Sequence, residues 1–403
     1  MHTYLKTLLA CVLLLLLAVA AINFAVNPFA IFPSPDIAGV NARKTEFFKH
    51  IRLVKAYALR RMRPDVLLLG NSRVDMALDP RHTALWRISD KVHNAALTSG
   101  TLYESLRYLQ HAHRLNPVKL AVLGLDKGMF ESLAQADFDE TILATTLDSQ
   151  PNTLQARHLF RTALSLDTLA ASWATLRRQR ENSVREFRSD GMRLTENAAH
   201  AIEREGGYRA VFGKTLIRAS EADNEAVLAM ERQRMLVYFR RLLDFCRAEK
   251  IALKLFIHPI HAWTVENYSE LGQHLGFERW KRDLVKILAE EAGANHPVFS
   301  LWDFSGYNSV TTEVVPTRKD RSTRMRYYWE PLHYTQLTGD MILDRIFEAP
   351  DLNRPLPIDF GILLSKQNID DVIAKSRLDQ QRYRADFAND VLEIKRLVTG
   401  NSN

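Results

Sequence analysis

Short apolar runs alternate with helical patterns over much of this sequence. The apolar runs are typical of buried strands and lie at 66–69, 91–97, 118–126, 251–259 and 297–306. Helical spacing of apolar residues covers 101–115, 226–250, 277–293 and 335–347. Strands that alternate with helices in this way build a parallel sheet that helices cover on both faces. The sequence therefore predicts an α/β fold with a doubly wound, parallel, five-stranded sheet.

The N-terminal apolar run, 8–26, carries no charged residue. A run of roughly 20 apolar residues is long enough to cross a bilayer core of about 30 Å. Lys6 precedes the run and Arg43 is the next positive charge, which favours a cytoplasmic N-terminus and translocation of the rest of the chain. A cleaved signal peptide is the alternative, because Ala18 and Ala20 are small. We favour an uncleaved transmembrane anchor over residues 1–27, because the apolar run continues beyond those alanines.

This anchor predicts a single-pass membrane protein with its C-terminal domain outside the cytoplasm. Membrane lipid is then an expected partner. The net charge of +7 favours contact with anionic surfaces such as phospholipid headgroups or acidic polysaccharide. The sequence has no zinc finger, no RNP-type motif and no convincing helix-turn-helix, so no nucleic-acid partner is expected.

Composition bounds the other classes of site. The 403 residues are 46% hydrophobic and 25% charged, which is enough for a full core. The only cysteines are Cys11, inside the apolar run, and Cys246. They exclude a disulfide framework and a cysteine metal site.

The remaining segments suggest six parts. Residues 28–61 hold a proline-rich linker and an amphipathic helix, which either covers the core with a solvated basic face or lies on anionic lipid. The α/β core is expected at 62–131 and 226–349. Residues 132–225 are polar and lack a convincing strand, so we interpret them as a helical insertion that forms a lid, a partner surface or a solvated elaboration. Residues 350–403 are predicted to be a charged helical tail.

Ser72 stands where the first predicted strand ends, in the sequence Gly-Asn-Ser. Ligands of parallel sheets bind beyond the carboxyl ends of the strands. A serine becomes a nucleophile when a base takes its proton and backbone N–H groups bind the oxyanion. Gly-Asn-Ser alone is equally typical of a tight turn.

Glu330 and His333 stand three residues apart, just before the last predicted helix. This spacing allows the carboxylate to orient the imidazole and stabilise its charged form, so that the other ring nitrogen can face a hydroxyl. A surface ion pair is the simpler interpretation of this motif alone. Together with Ser72, however, the pair indicates nucleophilic catalysis.

The combined pattern resembles the SGNH, or GDSL-like, hydrolase superfamily, in particular its membrane-anchored bacterial branch related to polysaccharide O-acetylation proteins. The family's Gly-Asp-Ser block corresponds to residues 70–72, its oxyanion glycine to Gly100, and its Asp-x-x-His block to 330–333. The resemblance implies a flavodoxin-like fold with Ser72 as nucleophile, His333 as base and Glu330 as its orienting acid. It also implies an esterase or acyltransferase without a metal or organic cofactor, acting on acyl groups of an exported polysaccharide beside the envelope machinery that makes it. The implied location is a bacterial inner membrane, with inner-membrane lipid as a partner and the C-terminal domain in the periplasm or outside the cell.

Two residues depart from the family pattern. Asn71 replaces the usual aspartate before the serine, and Asp126 stands where the family has an oxyanion-hole asparagine. An ionised Asp126 would repel a developing oxyanion, and losing one donor costs roughly 10²–10³ in rate. Asn94 could substitute as the donor or could simply hold a turn. The alternative function is therefore a non-catalytic glycan-binding or assembly subunit.

Three more side chains are candidate substrate contacts. His258 and His261 follow the fourth predicted strand; they lack an obvious third metal ligand, which leaves substrate contacts or ordinary loop histidines. Arg73 could meet an anionic sugar or carboxylate, or pair with Asp75 or Asp126.

Overall fold

The computed structural model describes residues 2–152, 154–179, 186–220, 225–292, 298–320 and 322–400. The chain is α/β and divides into two compact units. Unit 1 comprises Met1–Arg63, Gln110–Pro117 and Ala136–Arg188, and unit 2 comprises Pro64–Leu109, Val118–Gln135 and Ser189–Asn403.

The helices of the described residues vary widely in length. In chain order they are α1 (His2–Val26), α2 (Ile51–Met62), α3 (Ser72–Ala77), α4 (Thr83–Trp86), α5 (Leu102–Leu115), α6 (Gln155–Leu164), α7 (Leu166–Arg178), α8 (Glu196–Arg204), α9 (Tyr208–Ser220), α10 (Glu225–Ala248), α11 (Ala262–Glu270), α12 (His274–Ala292), α13 (Gln336–Ile346), α14 (Ile369–Asp386) and α15 (Ala388–Gly400). Short 3₁₀ turns lie at Phe48–His50, Lys127–Phe130 and Glu140–Ile142.

Unit 2 contains a mostly parallel sheet. The strands of the described chain are β1 (Val66–Leu69), β2 (Val92–Asn94), β3 (Leu120–Leu125), β4 (Ala252–Ile257), β5 (Leu301–Asp303), β6 (Tyr328–Glu330), β7 (His333–Tyr334) and β8 (Ile362–Leu364). Six of them form one sheet in the order β2-β1-β3-β4-β5-β8. The first five are parallel, so the predicted α/β class and parallel sheet are confirmed.

The predicted strand number is wrong, because β8 adds a sixth strand. It pairs antiparallel with β5 at the sheet edge. Its three residues follow a proline-containing stretch and leave two side chains exposed, so no buried-strand pattern marks it in the sequence. The segment predicted to be a charged tail therefore extends the sheet, although α14 and α15 confirm its helical content.

The core of unit 2 also takes in parts that the sequence analysis assigned to the periphery. Phe212 from α9 and Ile394 from α15 are completely buried in the same apolar cluster as Val66 and Phe256 of the sheet. The predicted single insertion, 132–225, is accordingly divided. Ala136–Arg188 belongs to unit 1, and the part from Ser189 onward belongs to unit 2. Gly293 and Pro297, at the ends of a predicted helix and strand, lie outside the described residues.

Unit 1 contains the N-terminal helix. α1 is long and apolar enough to cross a membrane, as predicted for the anchor. α2 is buried over most of its length, including Arg52 and Lys55. This burial leaves little of the amphipathic segment free to lie on lipid. The expected solvated basic face is only partly present, because Arg52 and Lys55 are buried.

Candidate active site

Ser72 lies directly beyond the carboxyl end of β1, as the first residue of α3. Asn71 caps this helix, and its side-chain oxygen accepts a hydrogen bond from the N–H of Arg73 at 3.0 Å. Gly70 makes the turn possible, because its φ is +144° and a Cβ there would lie 2.7 Å from the Val74 side chain. The N–H of Ser72 is at the first position of the helix, where the preceding turn supplies no acceptor.

His333 and Glu330 lie on a small antiparallel hairpin formed by β6 and β7. His333 Nε2 is 2.7 Å from Ser72 Oγ, and His333 Nδ1 contacts Glu330 Oε1. The two residues face each other across this hairpin, just before α13, which is where the sequence analysis placed them relative to the last helix. The structure thus brings together the three predicted catalytic side chains in the order serine, histidine, carboxylate.

Glu330 is held in its ionised form. Burial by itself would raise its pKa, but hydrogen bonds from His333 and from the N–H of Leu332, together with the charge of Arg73, lower the pKa below its ordinary value. The Leu332 bond is 3.1 Å long and uses Glu330 Oε2, so each carboxylate oxygen has its own donor. An ionised, oriented carboxylate is the partner that a general-base imidazole needs.

Asp126 does not present a bare negative charge to the site. It follows β3, and its Oδ1 accepts a hydrogen bond from the N–H of Met129 at 3.1 Å. Its Oδ2 accepts from the side chains of both Asn71 and Arg73. The repulsion expected from the sequence is therefore opposed by an ion pair and two amide donors.

Arg73 links the segments that build the site. Its guanidinium pairs with Asp126 through Nη1 and donates to the carbonyl of Leu332 through Nε at 2.6 Å. Leu332 lies in the turn between Glu330 and His333. Arg73 therefore ties the helix that begins at Ser72 to both the end of β3 and the β6–β7 hairpin. Of its two predicted roles, the structure displays the pairing with Asp126.

Asn94 and Gly100 are already engaged with the scaffold. The Asn94 amide donates to the carbonyls of Val74 and Leu78 at 2.8 and 3.1 Å, and its oxygen accepts from the N–H of Ala96. The N–H of Gly100 donates to Leu97 at 2.9 Å. Asn94 is thus a turn residue rather than an oxyanion donor, and the N–H of Gly100 has a backbone acceptor.

His258 and His261 have different surroundings. His258 is buried, its Nδ1 lies 3.0 Å from the hydroxyl of Tyr334, and burial, Arg73 and His333 hold its pKa well below the ordinary value. Nδ1 of His261 caps α11 at the N–H of Trp263, and its Nε2 contacts the Glu313 carbonyl at 2.8 Å. His258 is a neutral neighbour of the candidate catalytic side chains, whereas both ring nitrogens of His261 serve the scaffold.

Support for the β6–β7 hairpin comes from residues that the sequence analysis missed. Thr264 Oγ1 donates to the carbonyl of Pro331 at 3.1 Å, and the N–H of His261 points to the same carbonyl at 3.4 Å. Tyr334, next to His333, is fully buried against His258. In the sequence, the tyrosine next to His333 is the one visible sign of these contacts. The other contacts join residues that are far apart in the chain.

Gly339 allows the segment that carries His333 to approach the helix that carries Ser72. It lies in α13, directly after the hairpin, where α13 crosses α3. A Cβ at this position would lie 2.0 Å from the carbonyl oxygen of Ala77. The two backbones are therefore in contact, and any larger residue would push α13 away from the helix that begins at Ser72.

Comparison with models of known protein families finds no match to this chain, and no curated protein matches it.

Proposed function

We propose that this protein is a serine esterase or O-acyltransferase of the SGNH type. The observation that carries the proposal is the alignment of Ser72 Oγ, His333 and Glu330, with 2.7 Å between the hydroxyl and the imidazole. A lone surface Glu–His pair would not place its free ring nitrogen on a serine hydroxyl at the carboxyl end of a parallel strand. This geometry is that of an activated nucleophile.

The chemical steps follow from these positions. Ser72 Oγ attacks the ester carbonyl while His333 Nε2 accepts the hydroxyl proton, and the N–H of Ser72 faces the developing oxyanion. Collapse of the tetrahedral intermediate breaks the bond to the leaving oxygen, which receives the proton from His333. Water or a sugar hydroxyl then attacks the acyl-serine, again giving its proton to His333, and Ser72 is released with its proton restored.

Two further observations support the SGNH assignment. The five parallel strands follow the order 2-1-3-4-5, which is the flavodoxin-like order. The two departures from the family motifs, Asn71 and Asp126, are hydrogen-bonded to each other. An aspartate–asparagine pair exchanged between two positions preserves one donor and one acceptor, so the exchange is self-compensating.

The proposed setting is the outer face of a bacterial inner membrane. It rests on the length and apolar character of α1 and on the positive charges that flank the apolar run. Acyl groups of an exported polysaccharide are the proposed substrate, by analogy with the family that the motifs resemble. Inner-membrane lipid and envelope polysaccharide machinery are the proposed partners. A periplasm-only reporter fused after Asn403 tests this setting, and an inactive reporter would place the domain in the cytoplasm.

Covalent labelling tests the proposed chemistry. The full chain in detergent is treated with a fluorophosphonate probe, and the labelled peptide is identified by mass spectrometry. We expect labelling at Ser72, loss of labelling in Ser72→Ala and slow labelling in His333→Ala. Ser322→Ala, which removes an exposed serine, should label like the wild type. A folded wild type that stays unlabelled would contradict the proposal and favour the glycan-binding or assembly function.

A further inference from the structure

Asn23 is a buried amide within the apolar helix α1. Its Nδ2 donates to the carbonyls of Ala163 and Ser165 at 2.9 and 3.1 Å. Its Oδ1 accepts from Ser172 Oγ at 3.0 Å. An unsatisfied amide in hydrocarbon would cost several kcal/mol, so these bonds fix the hairpin of α6 and α7 to α1 at this residue.

The position of Asn23 determines where the α6–α7 hairpin lies along the axis of α1. It lies three residues before Val26, the end of α1, which corresponds to roughly 5 Å along the helix axis. Asn41, from the chain that follows α1, donates to the carbonyl of Ala25 at 2.9 Å, so the exit of the helix is also fixed. If α1 crosses a bilayer, the turn between α6 and α7 lies at the membrane surface.

Large apolar side chains are exposed on the same hairpin. Leu166 is 73% exposed and Trp173 is 64% exposed. They directly follow Ser165 and Ser172, the two α7-side residues that contact Asn23, and their spacing of seven places them on one helix face. Phe160 on α6 is also 67% exposed. Exposed tryptophan and other large apolar residues at this level are typical of helices that lie in a bilayer interface.

The charge of the hairpin is positive. Within the described part of the chain, Arg157, Arg161 and Arg177 form no ion pair with a carboxylate. Arg178, in the last turn of α7, pairs with Glu46 at 2.8 Å. α6 contains no acidic residue and α7 contains only Asp167. These arginines are suited to bind the phosphates of anionic lipids, next to the exposed apolar side chains of the same hairpin.

We propose that the hairpin of α6 and α7 is a lipid-binding element. Phe160, Leu166 and Trp173 enter the headgroup region of the bilayer, and the arginines bind phosphates of anionic lipids. The proposal depends on the transmembrane anchor but not on the serine chemistry. It implies that α1 and the hairpin together fix the rotation of unit 1 on the membrane.

Trp173 provides the probe for this proposal, because the other five tryptophans of the chain lie in unit 2. The full chain is reconstituted into vesicles of phosphatidylcholine, with and without phosphatidylglycerol, and α1 insertion is checked by carbonate-resistant flotation. The emission of wild type minus Trp173→Phe isolates Trp173. We expect brominated lipid to remove more than half of this emission and aqueous iodide to remove little of it.

A second measurement tests whether the arginines bind anionic lipid. Added phosphatidylglycerol should deepen the quenching of Trp173 by brominated lipid. The combined Arg157→Gln, Arg161→Gln and Arg177→Gln variant should lose that lipid dependence while it keeps its quenching in phosphatidylcholine.

Three outcomes would overturn the proposal. Quenching by iodide alone would place Trp173 in water. Protection from both quenchers would indicate a protein contact, such as a second copy of the chain. A chain that does not float would contradict the anchor and the hairpin together. Fluorophosphonate labelling of Ser72 on the same samples reports the proposed catalysis independently.

Discussion

Asn71 donates its side-chain amide to the carboxylate of Asp126 across the ends of β1 and β3. The other end of the Asn71 side chain accepts from the N–H of Arg73, so the amide has one possible orientation. Asp126 in turn needs donors, because it is acceptor-only when ionised. Each residue is therefore suited to the other, and a change at one position should depend on the residue at the other.

From the Asn71–Asp126 contact we expect that a substitution at one residue restores the labelling rate lost by a substitution at the other. Asn71→Asp should slow fluorophosphonate labelling at least tenfold, because two carboxylates would then face each other beside Ser72. Adding Asp126→Asn should restore most of the rate, because the donor and acceptor are exchanged but both remain. A double-mutant cycle on the labelling rate measures this coupling. Additive effects would show that the contact between the two residues does not matter for the site.

Arg73 is predicted to be a positioning residue for the nucleophile and the base. Arg73→Gln removes the cation that neutralises Asp126 and the donor to Leu332. We expect the labelling rate to fall about tenfold or more, equivalent to at least about 1.4 kcal/mol in the barrier.

The control combines Arg73→Gln with Asp126→Asn. If charge compensation is the main role of Arg73, removing the unpaired carboxylate should recover part of the rate. Failure to recover any rate in a folded double variant would assign the role to the Leu332 contact instead. Thermal unfolding of each variant separates a local effect from loss of the fold.

Gly339 is predicted to set the distance between the catalytic side chains. In Gly339→Ala the new methyl group would overlap the Ala77 carbonyl, so α13 must shift. Overpacking of this kind costs on the order of 1–3 kcal/mol, and it should also slow labelling of Ser72. Gly213→Ala in α9 is the matched control, because its methyl group would lie 3.4 Å from Leu397. Equal effects of the two alanines on labelling would refute this role of Gly339.

The sequence predicts those parts of the fold that depend on local patterns. Strands such as Val66–Leu69 and Leu120–Leu125 are buried on all sides, so continuous apolar runs mark them. β7 and β8 have two and three residues, too few for any period to appear. β8 also pairs with a strand that is distant in the sequence, β5, whereas β7 pairs with the neighbouring β6.

The candidate site also combines features that local sequence patterns predict with features that depend on distant residues. Ser72, Glu330 and His333 are recognisable because their residue types and spacing carry the chemistry. The sequence offers the ion pair of Arg73 with Asp126 only as one of several alternatives. It does not predict the hydrogen bond from Asn71 to Asp126, because the two residues follow different strands. The role of Asn94 was likewise decided by carbonyls of α3 and its C-terminal end. Tertiary contacts, rather than the motifs, determine these electrostatic details.

The raised pKa of Asp340 leads us to expect that the stability of the protein depends on pH. Burial raises the pKa of this carboxyl group to about 7; Arg354 opposes the shift, and Asp79, Asp344 and Asp351 add to it. Between about pH 4 and pH 7 the folded state retains a proton that the unfolded state has lost, so the free energy of unfolding falls as the pH rises. Asp340→Asn should therefore stabilise the protein at pH 8, by on the order of 1–3 kcal/mol.

Thermal unfolding of wild type and Asp340→Asn at several pH values measures this effect. The gain in the variant should shrink as the pH is lowered from 8 toward 5, because the wild-type carboxyl then becomes neutral in the folded state. Asp351→Asn is the control, since hydrogen bonds that Asp351 accepts from Asn353, together with Arg354, lower the pKa of Asp351 although burial opposes them. Its removal should give no gain at pH 8. A pH-independent gain in Asp340→Asn would show that the carboxyl group does not titrate in this range.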